Sequence, residues 1–415
     1  MIVLKAIQFN VSIPRYIFCK IFGKISKSVY YGLFSMMKYK EVPEPQLSKA
    51  PTEEWVKIQT KLSGICGSEL NTIFLHDSPA LTPFTSSPFT FGHENMGLLA
   101  EKGKQVKGFE VGERVIVNPM LPCRTRGFEQ VCELCEKGQF SACLNFTKGN
   151  ISPGLDNFTC RDTGAGWSDY FLAHQFQLYH LPDSVSDEDG MLVEPFCSAL
   201  HPITRCYPKD TDTVLVIGAG MIGIAVIAAL RALGSKARII ALVKYKFQGD
   251  FSTKYGADEI IYLKGEDYYD ELAKTLKVTL QKPALGKRVV VDGGADVVYE
   301  AVGNDTTMTD ALRFTKPGGK LALIGLIGTT KNVDWSFSWF KELTLYGTNT
   351  SSTELFQGER IPTFQLALNW LAEGHLQLKP LLTHKFKLAE YKKAIKMEGQ
   401  KGRNRLVKAA FSFEK

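Results

Sequence analysis

The chain has 415 residues, of which 22% are charged, and a formal net charge of +7. This length is sufficient for two or three domains, each with its own core. The charge is spread along the sequence without a block of like charges or a repeat of aromatic and basic residues, so nucleic-acid binding has little support. No apolar run reaches the roughly 18 residues of a membrane-spanning helix, and a signal-peptide pattern is lacking, so we expect a cytoplasmic protein.

The segment 11–40 mixes basic and aromatic residues without a clean period. Its aromatic residues include Tyr16, Phe18, Phe22, Tyr30, Tyr31 and Phe34. Neither a helical nor a strand repeat fits their spacing, which favours an additional surface lobe or a subunit contact. The alternatives are a lid over an apolar substrate and an element that lies on a membrane surface.

Two glycine-flanked loops carry the residue types of a catalytic metal site. A half-buried strand predicted for 55–62 runs into S-G-I-C-G-S-E, which contains Cys66, and F-G-H-E-N-M-G follows with His93 and Glu94. Cysteine, histidine and carboxylate are donors that a catalytic zinc uses while one coordination position stays open. Each of these residues alone could be an ordinary buried side chain, but their combination predicts metal ligands.

Four cysteines lie close together in the next segment. Eight residues separate Cys123 from Cys132, two separate Cys132 from Cys135, and seven separate Cys135 from Cys143. Four thiolates on one short segment suffice for a closed tetrahedral zinc site. A pair of disulfides is the alternative, which the intracellular interpretation disfavours.

A strand, a glycine-rich turn and a helix follow at 213–233. The apolar run T-V-L-V-I leads into G-A-G-M-I-G, and the following helix would direct its N-terminal amides at a pyrophosphate. A lone G-x-G-x-x-G also occurs in structural turns, so the prediction depends on further strands between helices. These strands are 238–243, 289–291, 296–301 and 320–326. Their alternation with helices predicts a doubly wound parallel sheet.

The end of the second nucleotide-binding strand indicates which cofactor is used. An NAD-dependent enzyme places an acid there to accept hydrogen bonds from the ribose 2′-hydroxyl. This chain has Val243 instead, followed by Lys244 and Lys246. With no carboxylate to repel a 2′-phosphate, NADP(H) is favoured over NAD(H). Ordinary solvated lysines are the alternative.

Together these motifs resemble those of the zinc-dependent medium-chain alcohol dehydrogenase family, in its sorbitol, threonine and glucose dehydrogenase branch. The matching motifs are G-I-C-G-S-E at 64–69, G-H-E at 92–94, the cysteine segment at 123–143, V-E-P-F at 193–196 and G-A-G-M-I-G at 218–223. The resemblance covers nearly the whole chain. It implies an α/β fold, with a GroES-like, mostly β catalytic domain at 1–185, completed by 352–415, and a Rossmann domain with a doubly wound parallel sheet at 186–351.

The resemblance also implies roles for individual residues. Cys66 and His93 would bind the catalytic zinc, Glu94 and Glu194 would ligate the metal or hold its water, and Ser68 would contact the substrate oxygen and begin a proton relay. Cys123, Cys132, Cys135 and Cys143 would bind a structural zinc. The implied cofactor-binding residues are Gly218, Gly220, Met221, Ile222, Gly223, Val243, Lys244, Lys246, Val302 and Gly303.

The chain departs from the family pattern in three places. The gap of eight residues after Cys123 replaces a commoner gap of two, so this cysteine must reach back from a longer loop. Glu69 stands where Asp is usual, and Asn71 stands where some polyol and threonine enzymes have His. The segment 11–40 is the third departure, and it weakens any transfer of substrate.

The sequence therefore predicts a zinc-dependent oxidoreductase that transfers a hydride between an alcohol or polyol, or the matching carbonyl, and NADP(H) or NAD(H). A zinc-free, NADPH-dependent reductase of activated double bonds and a non-enzymatic dinucleotide sensor are the alternatives. The aromatic segment hints at a bulky apolar substrate, whereas Glu94 and Glu194 hint at polyols. The resemblance implies a homodimer or homotetramer.

Overall fold

The computed structural model describes residues 3–265 and 268–414. The chain divides into two compact units, Met1–Glu194 with Phe364–Lys415, and Pro195–Thr363. Within the two described stretches, no helix is long and apolar enough to cross a bilayer. The domain boundaries suggested by the sequence, after 185 and after 351, remain a prediction.

The strands in chain order are β1 (Val3–Phe9), β2 (Met37–Pro43), β3 (Trp55–Gly64), β4 (Phe89–Thr90), β5 (Asn95–Lys102), β6 (Arg114–Val117), β7 (Tyr170–His174), β8 (Leu178–His180), β9 (Thr213–Ile217), β10 (Arg238–Val243), β11 (Glu259–Tyr262), β12 (Leu280–Gln281), β13 (Val289–Val290), β14 (Ala295–Glu300), β15 (Thr315–Leu323), β16 (Thr344–Gly347), β17 (Thr353–Phe356), β18 (Glu359–Pro362), β19 (Leu382–Phe386) and β20 (Lys408–Ser412). The α-helices are α1 (Ile13–Phe22), α2 (Gly67–Ile73), α3 (Glu133–Glu136), α4 (Asp187–Met191), α5 (Val193–Arg205), α6 (Met221–Ala232), α7 (Lys246–Lys254), α8 (Tyr268–Leu276), α9 (Asp305–Phe314), α10 (Ser336–Phe340), α11 (Thr363–Ala372), α12 (Tyr391–Glu398) and α13 (Lys401–Asn404).

The first unit is built on a seven-stranded sheet. Its strand order is β19-β20-β3-β5-β6-β8, and β7 also pairs with β3. Successive residues of β3 face opposite sides of the sheet, so Trp55 enters one apolar core while Val56 and Ile58 enter another. Just after β3 ends, the amide of Ile65 donates to the carbonyl of Ala409 in β20 at 2.9 Å. Through this hydrogen bond, β20 stabilises the first loop of the predicted metal site.

A three-stranded sheet of order β2-β1-β4 accompanies the N-terminal lobe, which we define as residues 11–34. The lobe contains the helix α1, although no helix follows from its spacing. Only Cys19 of this helix is buried. Its period is hidden in the sequence because apolar residues occupy the outward face of the helix as well as the inward one.

The second unit contains a six-stranded sheet in which all pairs are parallel, in the order β11-β10-β9-β14-β15-β16. Residues 214–217 of β9 are fully buried, as expected of a strand with both faces covered. The chain runs outward from β9 through β10 to β11, then returns to β14 on the other side of β9. This is the order of dinucleotide-binding sheets, in which the ligand lies where the strand order reverses.

One strand predicted for this sheet belongs elsewhere. Val289 and Val290 pair antiparallel with β12 in a separate two-stranded sheet, and β11 and β16 form the edges of the parallel sheet. The run V-V-V at 289–291 has the composition of a buried strand, but a short apolar run does not identify the sheet it joins.

Candidate active site and metal centres

Cys66 occupies the N-cap of α2, directly after the loop that follows β3. Glu69, three residues further on, is fully buried. Its Oε2 accepts a hydrogen bond from the amide of Cys66 at 2.9 Å. The side chain of Glu69 therefore fixes the turn that carries the thiol.

His93 is held by the other oxygen of the same carboxylate. Oε1 of Glu69 accepts hydrogen bonds from the amides of Gly92 and His93 at 2.9 and 3.1 Å, and it lies 2.9 Å from Nδ1 of His93. Donation from Nδ1 leaves Nε2 with its lone pair, as a metal-binding imidazole requires. Burial by itself lowers the pKa of His93, but the negative charges of Glu69 and Cys66 raise that pKa well above its usual value, so a metal ion would displace a proton from Nε2 when it binds.

Glu94 is paired with a lysine from the far end of the chain. The Nζ of Lys408, in β20, donates to Oε1 of Glu94, and both side chains are buried. Burial lowers the pKa of Lys408, but the charges of Glu94 and Cys66 and the hydrogen bond to Glu94 together raise that pKa above its usual value. Gly64 leaves room for the other carboxylate oxygen, because a Cβ there would lie 1.8 Å from Oε2 of Glu94.

The three predicted ligands converge. Ligand atoms of Cys66, His93 and Glu94 all lie within 4.8 Å of one another. Oε2 of Glu94 and Oγ of Ser68 are buried without a hydrogen-bond partner among the described residues. Buried polar atoms are rarely left unsatisfied, so these two atoms indicate a ligand. Thiolate, imidazole and carboxylate donors in this arrangement suit zinc.

One further predicted ligand lies apart from this cluster. Glu194, the second residue of α5, is 4% exposed and does not belong to the converging group. Its metal-related role stays a prediction. Trp167 is fully buried and donates from Nε1 to the carbonyl of Gly64 at 3.0 Å, so it stabilises the loop as a core residue.

The four clustered cysteines also converge, with their sulfur atoms within 4.8 Å of one another. The sulfurs of Cys123 and Cys143 are 3.5 Å apart, far longer than the roughly 2.05 Å of a disulfide. All four thiols are free. The longer first gap therefore does not prevent Cys123 from joining Cys132 and Cys135.

Backbone and side-chain N–H groups point at these sulfurs. The amide of Cys132 and Nδ2 of Asn145 donate to Sγ of Cys123 at 3.3 and 3.2 Å, and the amide of Asn145 donates to Sγ of Cys143 at 3.3 Å. A hydrogen bond from Cys135 lowers the pKa of Cys143 to about 5. These donors favour the thiolate, which is the form that binds metal, whereas burial raises the pKa of Cys123 above its usual value.

The glycine-rich turn has the geometry of a dinucleotide cradle. Gly218 has a φ of 91°, and a Cβ there would lie 2.2 Å from Cγ2 of Val302. A Cβ at Gly223 would lie 1.8 Å from the carbonyl oxygen of Gly218, so both positions require glycine. A Cβ at Gly220, the N-cap of α6, would meet nothing within 4 Å. The backbone there is open to a diphosphate, and Met221 and Ile222 follow as the first helical residues.

The loop after β14 meets this turn. The carbonyl of Ile217, the last residue of β9, accepts a hydrogen bond from Ala301 at 3.0 Å. Glu300 is buried, and its Oε1 accepts from the amides of Val302 and Gly303 at 3.0 and 2.9 Å. A Cβ at Gly303 would lie 1.7 Å from the carbonyl oxygen of Gly325, so two backbones pack directly here.

The predicted 2′-phosphate residues follow β10. Val243 is its last residue and is fully buried, whereas Lys244 and Lys246 are exposed. Nζ of Lys246 lies 2.7 Å from Oδ1 of Asp250, and Nζ of Lys244 lies 5.5 Å from the ring centre of Tyr245. Of the two lysines, Lys244 is thus the one without a carboxylate neighbour in the described chain.

Comparison with known proteins gives consistent results. A model described as alcohol dehydrogenase GroES-like domain matches residues 52–183, and one described as zinc-binding dehydrogenase matches residues 222–373. The chain is 28% identical to L-idonate 5-dehydrogenase of Vitis vinifera over 81% of each chain. It is 26% identical to sorbitol dehydrogenase of Bacillus subtilis over 86% of this chain and 89% of that one. The crystal structure of 2R,3R-butanediol dehydrogenase from Bacillus subtilis aligns with a TM-score of 0.69 at 22% identity, over 99% of this chain and 100% of that chain.

The chain belongs to the zinc-dependent medium-chain alcohol dehydrogenase family. It is an oxidoreductase that uses zinc and a nicotinamide cofactor, so the predicted family, fold and enzyme class are confirmed. The N-terminal lobe of this dehydrogenase lies outside both matched ranges.

Sequence reasoning missed two residues of the dehydrogenase site. Glu69 was noticed only as a departure from Asp, yet its position three residues after Cys66 is the spacing of a capping residue that reaches back to the N-cap amide. Lys408 is 314 residues from Glu94 in the chain. Its only signal is a lysine within the otherwise apolar run L-V-K-A-A-F, where an unpaired charge would be costly.

Proposed function

We propose that this dehydrogenase interconverts a polyol and the matching ketone, acting on a secondary hydroxyl that has a second hydroxyl beside it. The observation that carries the proposal is the convergence of Cys66, His93 and Glu94, together with Ser68 two positions after Cys66, whose buried Oγ has no hydrogen-bond partner among the described residues. The names of the relatives support it, because idonate, sorbitol and butanediol all contain such a pair of hydroxyls.

Cys66, His93 and Glu94 would hold the catalytic zinc, and Glu194 would support the metal or its water. When bound, zinc supplies the Lewis acidity that lowers the pKa of the alcohol, and the nicotinamide supplies the hydride acceptor. Ser68 would accept the hydroxyl proton and begin its transfer to solvent, and it would return a proton in carbonyl reduction. Glu69 keeps Nε2 of His93 available throughout.

Cys123, Cys132, Cys135 and Cys143 would hold a second, structural zinc. Their sulfur separations and N–H donors support a closed site with no position for substrate. We further propose a cytoplasmic homodimer or homotetramer, with domain boundaries near 185 and 351.

NADP(H) is the proposed cofactor. Val243 provides no carboxylate to repel a 2′-phosphate, and the exposed ammonium of Lys244 lacks an ion pair within the described residues. Gly218, Gly220 and Gly223 would bind the pyrophosphate.

Metal content and turnover test the catalytic proposal. We expect about two zinc ions per chain. A chelator should readily remove one of them, and the enzyme should then no longer oxidise sorbitol or xylitol. Cys66→Ser should lose turnover but keep NADPH binding, whereas Cys160→Ser, a buried cysteine outside both clusters, should keep turnover. Turnover retained in the Cys66 variant would exclude the metal assignment.

Fluorescence titration with NADPH and NADH tests the cofactor proposal. NADPH should bind more tightly, and Lys244→Ala should weaken NADPH binding while NADH binding changes little. Lys246→Ala is the matched control, since that lysine is paired with Asp250. Tighter binding of NADH to the unaltered enzyme would contradict the preference.

A further inference from the structure

The N-terminal lobe concentrates exposed apolar side chains. Nine large apolar residues that are each at least 40% exposed lie from Val11 to Phe34. Ile25 and Leu33 reach 82% and 81% exposure. An apolar surface of this kind on a folded protein marks a place where a membrane or another protein binds.

The helix α1 turns its apolar side outward. Cys19 anchors the inward side, with 1% exposure and Sγ 3.9 Å from the carbonyl oxygen of Val29. At roughly 100° per residue, Ile13, Ile17 and Ile21 follow one line along the side of the helix away from Cys19. These three residues are 74%, 52% and 56% exposed.

Aromatic rings add to the exposed apolar surface of the lobe. Phe22 and Phe34 are 43% and 60% exposed, and Phe18 joins them with ring centres 4.7 and 5.3 Å away. Large apolar side chains exposed on one face, as Ile13, Ile17 and Ile21 are, are typical of helices that lie at the boundary between lipid headgroups and acyl chains.

The charge of this segment has one sign. Residues 1–40 contain no Asp or Glu, and the segment 11–40 contains Arg15, Lys20, Lys24, Lys27, Lys38 and Lys40. In the described chain, none of these six cations lies within 4.0 Å of a carboxylate oxygen. An uncompensated positive potential attracts anionic lipid and repels a second copy of the same lobe.

A basic groove begins directly after Ile25. Its volume is about 630 Å³, and four of its lining residues are Lys27, Lys392, Lys393 and Lys396. Only Lys393 has a carboxylate within 4.0 Å in the described chain, namely Glu390 at 3.2 Å. Three ammonium groups thus remain for an anionic headgroup.

We propose that the N-terminal lobe binds the surface of a membrane that contains anionic lipids. The outward face of α1 enters the interface between headgroups and acyl chains, and the basic groove contacts the headgroups. The helix lies on the membrane rather than across it, because its 10 residues are about half of what a span needs. This proposal is independent of the substrate.

Sedimentation of the full chain with vesicles tests the proposal. Binding to phosphatidylcholine vesicles with about 30% phosphatidylserine should exceed binding to pure phosphatidylcholine at least tenfold, and salt should weaken it. Ile17→Ser with Ile21→Ser should lower binding about 100-fold, from the loss of two apolar side chains. Lys27→Ala with Lys396→Ala should lower it about fivefold per charge.

Leu285→Ser is the matched control, because Leu285 is 91% exposed but lies outside the lobe, and its binding should be unchanged. Equal binding to the two vesicle types, or undiminished binding of the double isoleucine variant, would overturn the proposal. The proposal would also be overturned if the chain failed to bind vesicles and instead formed a dimer that the two isoleucine substitutions dissociate. A second copy of the chain would then cover this face.

Discussion

Replacement of Glu69 by Gln tests how the buried carboxylate organises the metal site. The variant has nearly the same shape but loses the charge that Nδ1 of His93 faces at 2.9 Å. A hydrogen bond to a charged group contributes about 1.5 kcal/mol more than a neutral one, which is roughly tenfold in zinc affinity. The side-chain nitrogen of the introduced glutamine would also face the backbone amide of Cys66. That amide would then lack an acceptor, which should lower the free energy of unfolding by about 1–3 kcal/mol.

Zinc affinity would be measured by competition with a chromophoric chelator, and apoenzyme stability by urea unfolding. We expect zinc to bind 10- to 100-fold more weakly, roughly the effect of losing the group that orients a metal-bound histidine. Glu110→Gln is the control, because that side chain is 73% exposed and distant in sequence from the ligands. Zinc affinity within twofold of the unaltered enzyme would refute the role assigned to Glu69.

Three further changes have distinct expected outcomes. Lys408→Met leaves the buried charge of Glu94 unpaired and should lower the free energy of unfolding by about 3–5 kcal/mol, whereas Lys408→Arg should lose less; equal stabilities in urea would contradict this. Cys135→Ser should lower the thermal midpoint of the zinc-loaded protein but not of the chelated protein, since a structural zinc contributes to folding. Burial lowers the pKa of Lys341 from 10.5 to about 8, so the folded state disfavours its proton and the free energy of unfolding should rise with pH between these values. In the Lys341→Met variant, this rise in the free energy of unfolding with pH should be absent. If the variant and the unaltered protein show the same slope, the pKa shift of Lys341 is not its cause.

Local signals predicted much of the site. The glycine turn, the cysteine spacing and the pair of loops around Cys66 and His93 are each visible in short windows of sequence. The structure brings the predicted metal ligands of each set together, and their roles stay predictions. The parallel sheet of the second unit followed from alternating strands and helices. The assignment of 289–291 to the parallel sheet was wrong because a short apolar run predicts a strand but does not identify the sheet in which that strand pairs.

Contacts between distant residues were beyond such windows. The sequence around Glu94 does not predict its contact with Lys408, because that contact depends on the register of β20 beside β3. The helix of the N-terminal lobe was missed for a different reason. Helix prediction from apolar periodicity assumes that one face meets water, and α1 has apolar residues on both faces.

The position of β20 also constrains how the protein is made. This strand lies between β19 and β3, so the sheet that carries Cys66 stays incomplete until residues 408–412 have been synthesised. The continuous unit Pro195–Thr363 can fold during translation, while the earlier segment must wait with an exposed strand edge. A nascent chain in that state is open to incorrect strand pairing, and a ribosome that stalls before residue 408 would release a protein with a folded nucleotide-binding unit and no counterion for Glu94.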